Sequence, residues 1–416
     1  MLISFRFSNY KSYKDETIFT TVCGDLKDLK ENFSQIQNYK LLKSSIFIGA
    51  NGSGKSNLIQ AVQKFQAILQ NSINMQKQKS YPHEPFFLDE KIKEKATFFE
   101  IEFFLDEIYY RYNFKIEKDA TISEEYLEEK EPNKNRRYLF KRENENFKIN
   151  SRSFKEAKGL KEKTSPKSLF LSVVAQFNGE KSKKIYDFLT DRIIVLYDLD
   201  CDKNRFFEIS KVLLKDEVIK EKSVEFLKNL DLSLEDIEVK KEFLPKSLIE
   251  KIKDDIKLTD SEIKELEEDG IENIYIYHFA FDNGDVKKIE NFPIAFESEG
   301  TKKLILLVPF LINALKKNQI IFIDEIDNSI HTLLIKKILK EFQKYSNQSQ
   351  LFFTTHDLCL LNKPLVLRRD QIWLVEKDRK YLTSKLYSLY DYNIRNDKNI
   401  LKGYFEREFG AIPYLD

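Results

Sequence analysis

The sequence predicts an α/β fold: a mixed β-sheet with flanking β-hairpins, built around a phosphate-binding loop and carrying a helical insertion. Three observations predict it. Gly49-Ala50-Asn51-Gly52-Ser53-Gly54-Lys55-Ser56 fits G-x-x-x-x-G-K-[ST], the P-loop pattern. The apolar run Ile320-Ile321-Phe322-Ile323 empties into Asp324-Glu325, as a buried parallel strand does at its ligand-facing end. Phe99, Ile101 and Phe103, then Tyr110, Tyr112, Phe114 and Ile116, alternate with polar residues on either side of Asp106-Glu107, which reads as a β-hairpin.

The chain has 416 residues, enough for a large core and two or three domains. Lys and Arg number 69 and Asp and Glu 68, so bulk charge gives no argument for a nucleic-acid or membrane partner. No apolar run approaches the ~20 residues needed to span a bilayer, and Leu304 to Leu315 reads as a core helix. No secretory pattern opens the sequence. Cys23, Cys201 and Cys359 are isolated, which argues against a zinc site or a disulfide framework. A cytoplasmic location is expected.

In chain order, residues 1–48 read as strand-rich. Leu2 to Phe7 alternate apolar and polar, and a turn follows at Asn9-Tyr10-Lys11-Ser12-Tyr13. Ser45 to Ile48 is a buried strand leading into the P-loop. Leu58, Val62, Phe65 and Leu69 then recur at helical spacing, so a helix opens near Lys55. Residues 133–142 are the densest basic cluster. They read either as a phosphate-backbone contact or as a solvated hairpin, and the surrounding Glu124, Glu125, Glu128, Glu129 and Glu131 favour the second. Ser168 to Ala175 is apolar, 185–189 continues as a helix, and Ile193 to Leu196 is a strand.

Three domains are expected. Residues 1–202 form an N-terminal lobe with the P-loop and a β-hairpin subdomain. Residues 203–270 form a helical insertion, on the spacing of Phe206, Ile209, Leu213, Val218, Val224 and Leu227 and, after Pro245, of Leu248, Ile252 and Ile256. Residues 271–416 form a C-terminal lobe. It begins with a strand, Ile274 to Phe281, that turns at Asp282-Asn283-Gly284. Its core strands are expected at 320–323, 351–353 and 372–375.

The chemistry follows from the residue types. Glycines let the loop's N–H groups close on phosphate oxygens, and the helix N-terminus adds partial positive charge. Asn51, Gly52, Ser53, Gly54, Lys55, Ser56 and Asn57 are the candidate nucleotide contacts. Lys55 reaches the β- and γ-phosphates, and the Ser56 hydroxyl is a Mg²⁺ ligand. Asp324 is placed to hold the same Mg²⁺, directly or through water. Glu325 is placed to polarise the attacking water. His356, ending Leu351-Phe352-Phe353-Thr354-Thr355-His356, is a candidate γ-phosphate sensor. Ser298 and Gly300 precede a helix near Thr301; Ser298 reads as its cap and also as a phosphate donor. His331 reads either as a contact across a dimer or as a surface histidine. His83 and His278 read as structural and unpartnered.

The order of P-loop, Ser298-x-Gly300, Asp324-Glu325 and His356 resembles the ABC-type ATPase heads of the Rad50, SMC and RecF kind. The opening Phe7-Ser8-Asn9-Tyr10-Lys11-Ser12-Tyr13 is similar to the start those heads share. More narrowly, Gly49 to Asn57, Asp324 to His331 and the tail Gly403 to Pro413 resemble the bacterial AAA15-like ATPases, in particular the RloA/AbiLi abortive-infection group. The resemblance implies a P-loop NTPase head of the ABC type. It implies an ATPase using ATP and Mg²⁺ within an ATP-dependent homodimer or higher oligomer. It also implies that Ser298 and Gly300 face the partner's γ-phosphate, although Phe296-Glu297-Ser298-Glu299-Gly300-Thr301 keeps only the Ser and one Gly of Leu-Ser-Gly-Gly-Gln.

Two functions are carried forward. One is a sensor or regulator of a separately encoded effector in anti-phage defence. The resemblance points to a Toprim-like nuclease as that effector. The nuclease is expected in another chain: Glu376 is a candidate first acid, but Asp391 and Asp397 form no Asp-x-Asp, and Asp198-Leu199-Asp200 precedes the C-terminal lobe. The alternative is a DNA-binding Rad50/RecF-like repair or maintenance ATPase, so nucleic acid stays open as a partner. A transporter subunit fits the degenerate signature and the insertion less well.

Overall fold

The computed structural model describes residues 1–73, 83–197, 203–243, 270–282, 284–392, 394 and 398–412. The chain divides into two compact units. The first comprises Met1–Asp198, Ala314–Asp327 and Ile338–Asp416, the second Leu199–Asn313 and Asn328–Lys337.

The first unit holds two large sheets. One is antiparallel and seven-stranded. It contains β1 (Leu2–Ser8), β2 (Thr17–Thr20), β6 (Thr97–Leu105), β7 (Ile108–Ile116), β8 (Ile122–Lys130), β9 (Arg137–Glu143) and β10 (Asn146–Ile149), in the order β10-β9-β8-β7-β6-β1-β2. The expected hairpin is β6–β7, with Phe99 opposite Phe114 and Ile101 opposite Tyr112. A two-stranded ribbon, β3 (Phe33–Ile36) and β4 (Tyr39–Leu42), packs Ile36 and Leu41 against Ile3 and Phe104.

The other sheet contains β5 (Ser44–Ile48), β11 (Ile193–Leu196), β15 (Ile320–Ile323), β16 (Gln350–Thr355), β17 (Ile372–Lys377) and β18 (Ser384–Ser388). Its order is β11-β15-β16-β5-β17-β18, parallel except for the β17–β18 pair. Every residue of β5, β15 and β16 is buried. That is why these strands read as continuous apolar runs rather than alternating ones.

Helix α1 (Lys55–Asn71) follows β5 and buries Leu58, Val62, Phe65 and Leu69, the predicted stripe. Phe65 packs among Phe5, Phe99, Tyr112 and Phe114, stacked on Phe114 at 5.5 Å. Phe19 of β2 packs edge-on to Phe47, Phe352 and Trp373 of the parallel sheet. One apolar core therefore joins both sheets and fixes α1 against them. Helices α2 (Phe170–Gln176) and α3 (Glu180–Asp191) lead into β11.

The second unit contains α4 (Lys203–Leu214), α5 (Glu217–Asn229) and a three-stranded antiparallel sheet. Its strands are β12 (Asp236–Glu242), β13 (Ile271–Asp282) and β14 (Asp285–Pro293), in that order. The helical expectation for 203–270 matches α4 and α5 and is corrected at β12. Ile237 and Val239 alternate with charged residues, and β12 finds a partner in β13, where Ile237 pairs with the buried Ile276. Two-residue periodicity on a sheet edge overrides helix propensity there. Leu248, Ile252 and Ile256 lie outside the described residues. Helices α6 (Glu299–Lys317), α7 (Thr332–Tyr345) and α8 (Ile400–Phe405) complete the chain. The Leu304–Leu315 run is the buried stretch of α6.

The fold class is the predicted α/β one: a mixed sheet with flanking β-hairpins around the P-loop. Among the described residues no helix is long and apolar enough to cross a membrane.

Candidate nucleotide site

The P-loop connects the C-terminal end of β5 to α1. Its shape requires glycine at two points. Gly54 has φ of +111°, and a Cβ there would lie 2.3 Å from the Ser384 hydroxyl and 2.7 Å from that of Ser12. A Cβ on Gly49 would lie 2.1 Å from the Val375 carbonyl oxygen. The loop is braced from outside by the N-terminal turn. Asn57 Nδ2 donates to Ser12 Oγ at 2.8 Å, Ser12 Oγ in turn donates to Ser384 Oγ at 2.8 Å, Ser384 Oγ donates to the Ser53 carbonyl at 2.5 Å, and Tyr13 Oη donates to the Gly54 carbonyl at 3.1 Å. The Asn57 amide thus takes part in the brace through one of its N–H groups.

Lys55 is buried, and its Nζ donates to the Gly49 and Ala50 carbonyls at 2.8 and 3.1 Å. It also lies 3.3 Å from His356 Nδ1. Burial pulls its ammonium down to about 8, against the upward pull of Glu325, Asp324 and Asp327. An ammonium can only donate, so Nδ1 accepts and the ring proton sits on Nε2. That nitrogen is 3.6 Å from Glu325 Oε1.

The acidic pair leaves the end of β15. Asp324 is buried, and burial raises its carboxyl above the ordinary range while hydrogen bonds from Thr354 and Ser56 oppose the shift. Thr354 Oγ1 donates to Asp324 Oδ1 at 2.6 Å and accepts from the Glu325 N–H at 2.8 Å. One hydroxyl on β16 therefore holds the Asp324 carboxylate and the Glu325 backbone. Glu325 takes φ of +48°, a left-handed backbone that costs a non-glycine residue about 1–2 kcal/mol. The turn swings its side chain, half exposed, toward the His356 ring. Asp327 Oδ2 accepts the His356 N–H at 3.0 Å.

Parallel pairing of β15 with β16 and of β16 with β5 brings Lys55, Ser56, Asp324, Glu325 and His356 to one end of the sheet. These residues fit Mg²⁺ bound with a nucleotide. Ser56 and Asp324 are hard oxygen donors already in hydrogen-bond contact. Ser53 Oγ is buried with no protein partner, a group a phosphate oxygen would satisfy. No group of three or more His, Cys, Asp or Glu converges as a protein-only metal cage among the described residues.

Thr354, Asp327, Ser12 and Ser384 were missed by sequence reasoning. The Thr354-Thr355 pair directly before His356 was the available signal for the first. Nothing local marks the other three, whose partners lie 29 to 372 residues away.

Ser298 and Gly300 belong to the second unit. Ser298 is exposed, and its Oγ accepts the Thr301 N–H at 3.2 Å, capping α6. A Cβ on Gly300 would lie 2.4 Å from the Ser329 carbonyl oxygen, so close packing alone demands glycine there. Both line a cleft of about 580 Å³ with His331 and His278. His331 is exposed, and its Nδ1 accepts the Leu333 N–H at 3.2 Å at the start of α7. The reading of His278 as unpartnered is corrected: it contacts Glu297 at 2.7 Å and the Ser233 carbonyl at 2.6 Å. Both partners come from loops, which periodicity cannot reveal.

The basic cluster is neutralised within its own sheet. Arg136 pairs with Glu128, Arg137 with Glu129 and Glu131, Lys134 with Glu131, and the buried Arg142 with Glu125. Cross-strand pairing of β8 with β9 sets these contacts.

Comparison with solved structures finds SMC heads. The head bound to the C-winged helix domain of ScpA is 15% identical, with 93% of this chain and 97% of that one covered at a TM-score of 0.49. The SMC head domain from Thermotoga maritima is 13% identical, with 93% and 98% covered at 0.45. No curated protein matches. The family model described as "AAA domain, putative AbiEii toxin, Type IV TA system" matches residues 44–362, from β5 through the loop after His356. The chain belongs to that AAA-domain family.

Proposed function

We propose that this protein binds and hydrolyses ATP and uses the nucleotide state to regulate a partner effector in anti-phage defence. The observation that carries the enzymatic part is the convergence of Lys55, Ser56, Asp324, Glu325 and His356 on the P-loop end of the parallel sheet. Lys55 neutralises the β- and γ-phosphates. Ser56 and Asp324 hold Mg²⁺, which supplies charge neutralisation at the same phosphates. Glu325 orients and polarises the attacking water, its backbone held by the Thr354 hydroxyl. His356, proton on Nε2, contacts the terminal phosphate or that water while Asp327 fixes its backbone. Catalysis here is positioning and electrostatics, the two things phosphoryl transfer asks of a protein.

The regulatory part is supported by the resemblance to the RloA/AbiLi group and by the family's toxin–antitoxin description. On this reading ATP joins two copies, the P-loop of one facing Ser298 and Gly300 of the other. The joined state holds or releases a separately encoded effector, a Toprim-like nuclease on the strength of the same resemblance. The internal neutralisation of residues 133–142 removes the strongest local argument for nucleic-acid binding.

The test is single-turnover phosphate release together with nucleotide binding. Glu325→Gln should retain binding and lower hydrolysis by about 10²–10⁴, the range for a removed general base. Hydrolysis by Glu325→Gln at the wild-type rate would remove Glu325 from the mechanism.

A further inference from the structure

The tail singled out in the sequence has no part in the chemistry above, yet the fold builds it against the P-loop. Phe409 and Ala411 are buried, as is Tyr404 of α8. Tyr404 Oη donates to the Ala411 carbonyl at 2.7 Å, and the Tyr387 and Tyr392 hydroxyls both donate to the Phe409 carbonyl, at 2.9 and 3.1 Å. Gly410 turns at φ of +68° where a Cβ would meet Tyr387 Oη at 2.5 Å and the Glu376 carboxylate at 3.1 Å. Glu376 follows Val375, whose carbonyl oxygen touches the P-loop at Gly49. The segment is therefore held in one conformation, on the end of the strand beside the P-loop strand.

Tyr404 and Ile412 line a cleft of about 510 Å³ together with Gly49, Ala50, Asn51 and Ser53 of the P-loop and with Glu376 and Lys377. His356 lines the same cleft, and its Nδ1 is 3.3 Å from Lys55 Nζ. The cleft thus adjoins the end of the site where Lys55 meets the β- and γ-phosphates.

We propose that Tyr404 and Ile412 form a wall of the nucleotide site and make it selective for nucleoside triphosphate over diphosphate. This rests on the reading of the P-loop as a nucleotide site. The wall acts by excluding water. Within a cleft that also carries Glu376 and Lys377, the Ile412 side chain and the Tyr404 ring displace water beside the terminal phosphate, which lowers the local dielectric and strengthens its attraction to Lys55 and to the P-loop N–H groups. A diphosphate keeps the β-phosphate but lacks the γ-phosphate and its charge, and so gains less from the wall. Nucleotide binding and the ordering of residues 399–412 are consequently linked, and the tail reports which nucleotide is bound.

The test uses the full-length chain and equilibrium binding of a non-hydrolysable ATP analogue and of ADP, each with Mg²⁺. Ile412 is only partly buried, so Ile412→Ser should fold. It should lose about tenfold in affinity for the analogue, the scale of a small apolar contact, and less than twofold for ADP. Tyr404→Phe keeps the ring and should lose little. Hydrogen exchange over 399–412 should slow with the analogue in the wild type and stay unchanged in Lys55→Ala. Equal losses for both nucleotides, or wild-type analogue affinity in Ile412→Ser, would overturn the wall. A wild type that binds neither nucleotide would overturn the nucleotide reading itself, and the wall with it.

Discussion

Thr354→Val is the substitution whose consequence the structure fixes most closely. The two side chains are nearly equal in volume, so packing in β16 changes little. What is lost is one hydroxyl with two tasks. Its 2.6 Å bond to the buried Asp324 carboxylate is charge-assisted, a class worth about 1.5–3 kcal/mol. Its acceptance of the Glu325 N–H at 2.8 Å is an ordinary bond, worth about 0.5–1.5 kcal/mol. Water reaches part of this site, so the sum is discounted to about 2–3 kcal/mol of stability at neutral pH, read from urea denaturation at unchanged m.

The pH dependence of that loss has a definite sign. Burial holds Asp324 above its unfolded value, and Thr354 is one of the groups pulling it back down. Removing Thr354 raises it further. The folded form then binds more protons than the unfolded form between the unfolded and folded values, so stability falls as pH rises through that window and is flat above it. The gap between wild type and Thr354→Val should therefore narrow as pH falls through the raised folded values toward the ordinary carboxylate range, and stay level below it. Hydrolysis should drop as well, because the hydroxyl also holds the Glu325 backbone. A gap that widened in acid, or a loss under about 0.5 kcal/mol at neutral pH (the scale of an ordinary surface substitution), would refute this account of the acidic pair.

Three other outcomes follow. A bound triphosphate raises the Lys55 pKa from about 8, so affinity should be level below that value and weaken above it, by up to about tenfold per pH unit; calorimetry in buffers of different ionisation enthalpy would reveal the proton taken up. Ser298→Arg should leave nucleotide binding by the single chain intact and abolish ATP-dependent association in sedimentation velocity. The lost cap should cost only about 1 kcal/mol. Phe65→Ala removes a ring that meets four other aromatics and should cost about 3–5 kcal/mol by thermal or urea unfolding, without altering any residue of the site.

Much of the site was legible because its chemistry is written in short runs. The P-loop needs glycines and a Lys-Ser at fixed spacing, and a strand buried on both faces announces itself as Ile320 to Ile323 before Asp324. Parallel pairing does the rest, since strands ending in acids, histidine and P-loop must present them on one edge. Features set by long-range contact were not legible. The bond by which Asn57 braces Ser12 crosses 45 residues. Gly300 looked chosen for phosphate, while the Ser329 carbonyl already excludes any side chain. β12 was absorbed into a helical reading because its apolar positions are few and its partner strand begins 35 residues after it starts. The tail carried a recognisable pattern but no sign that it folds back onto the P-loop.

The most direct test of the central claim is mass photometry of wild type, Lys55→Ala and Glu325→Gln, each with and without ATP and Mg²⁺. The account predicts association that requires ATP, fades in the wild type as ATP is consumed, persists in Glu325→Gln and is absent in Lys55→Ala. An assembly of the same size in all three proteins, indifferent to ATP, would contradict it.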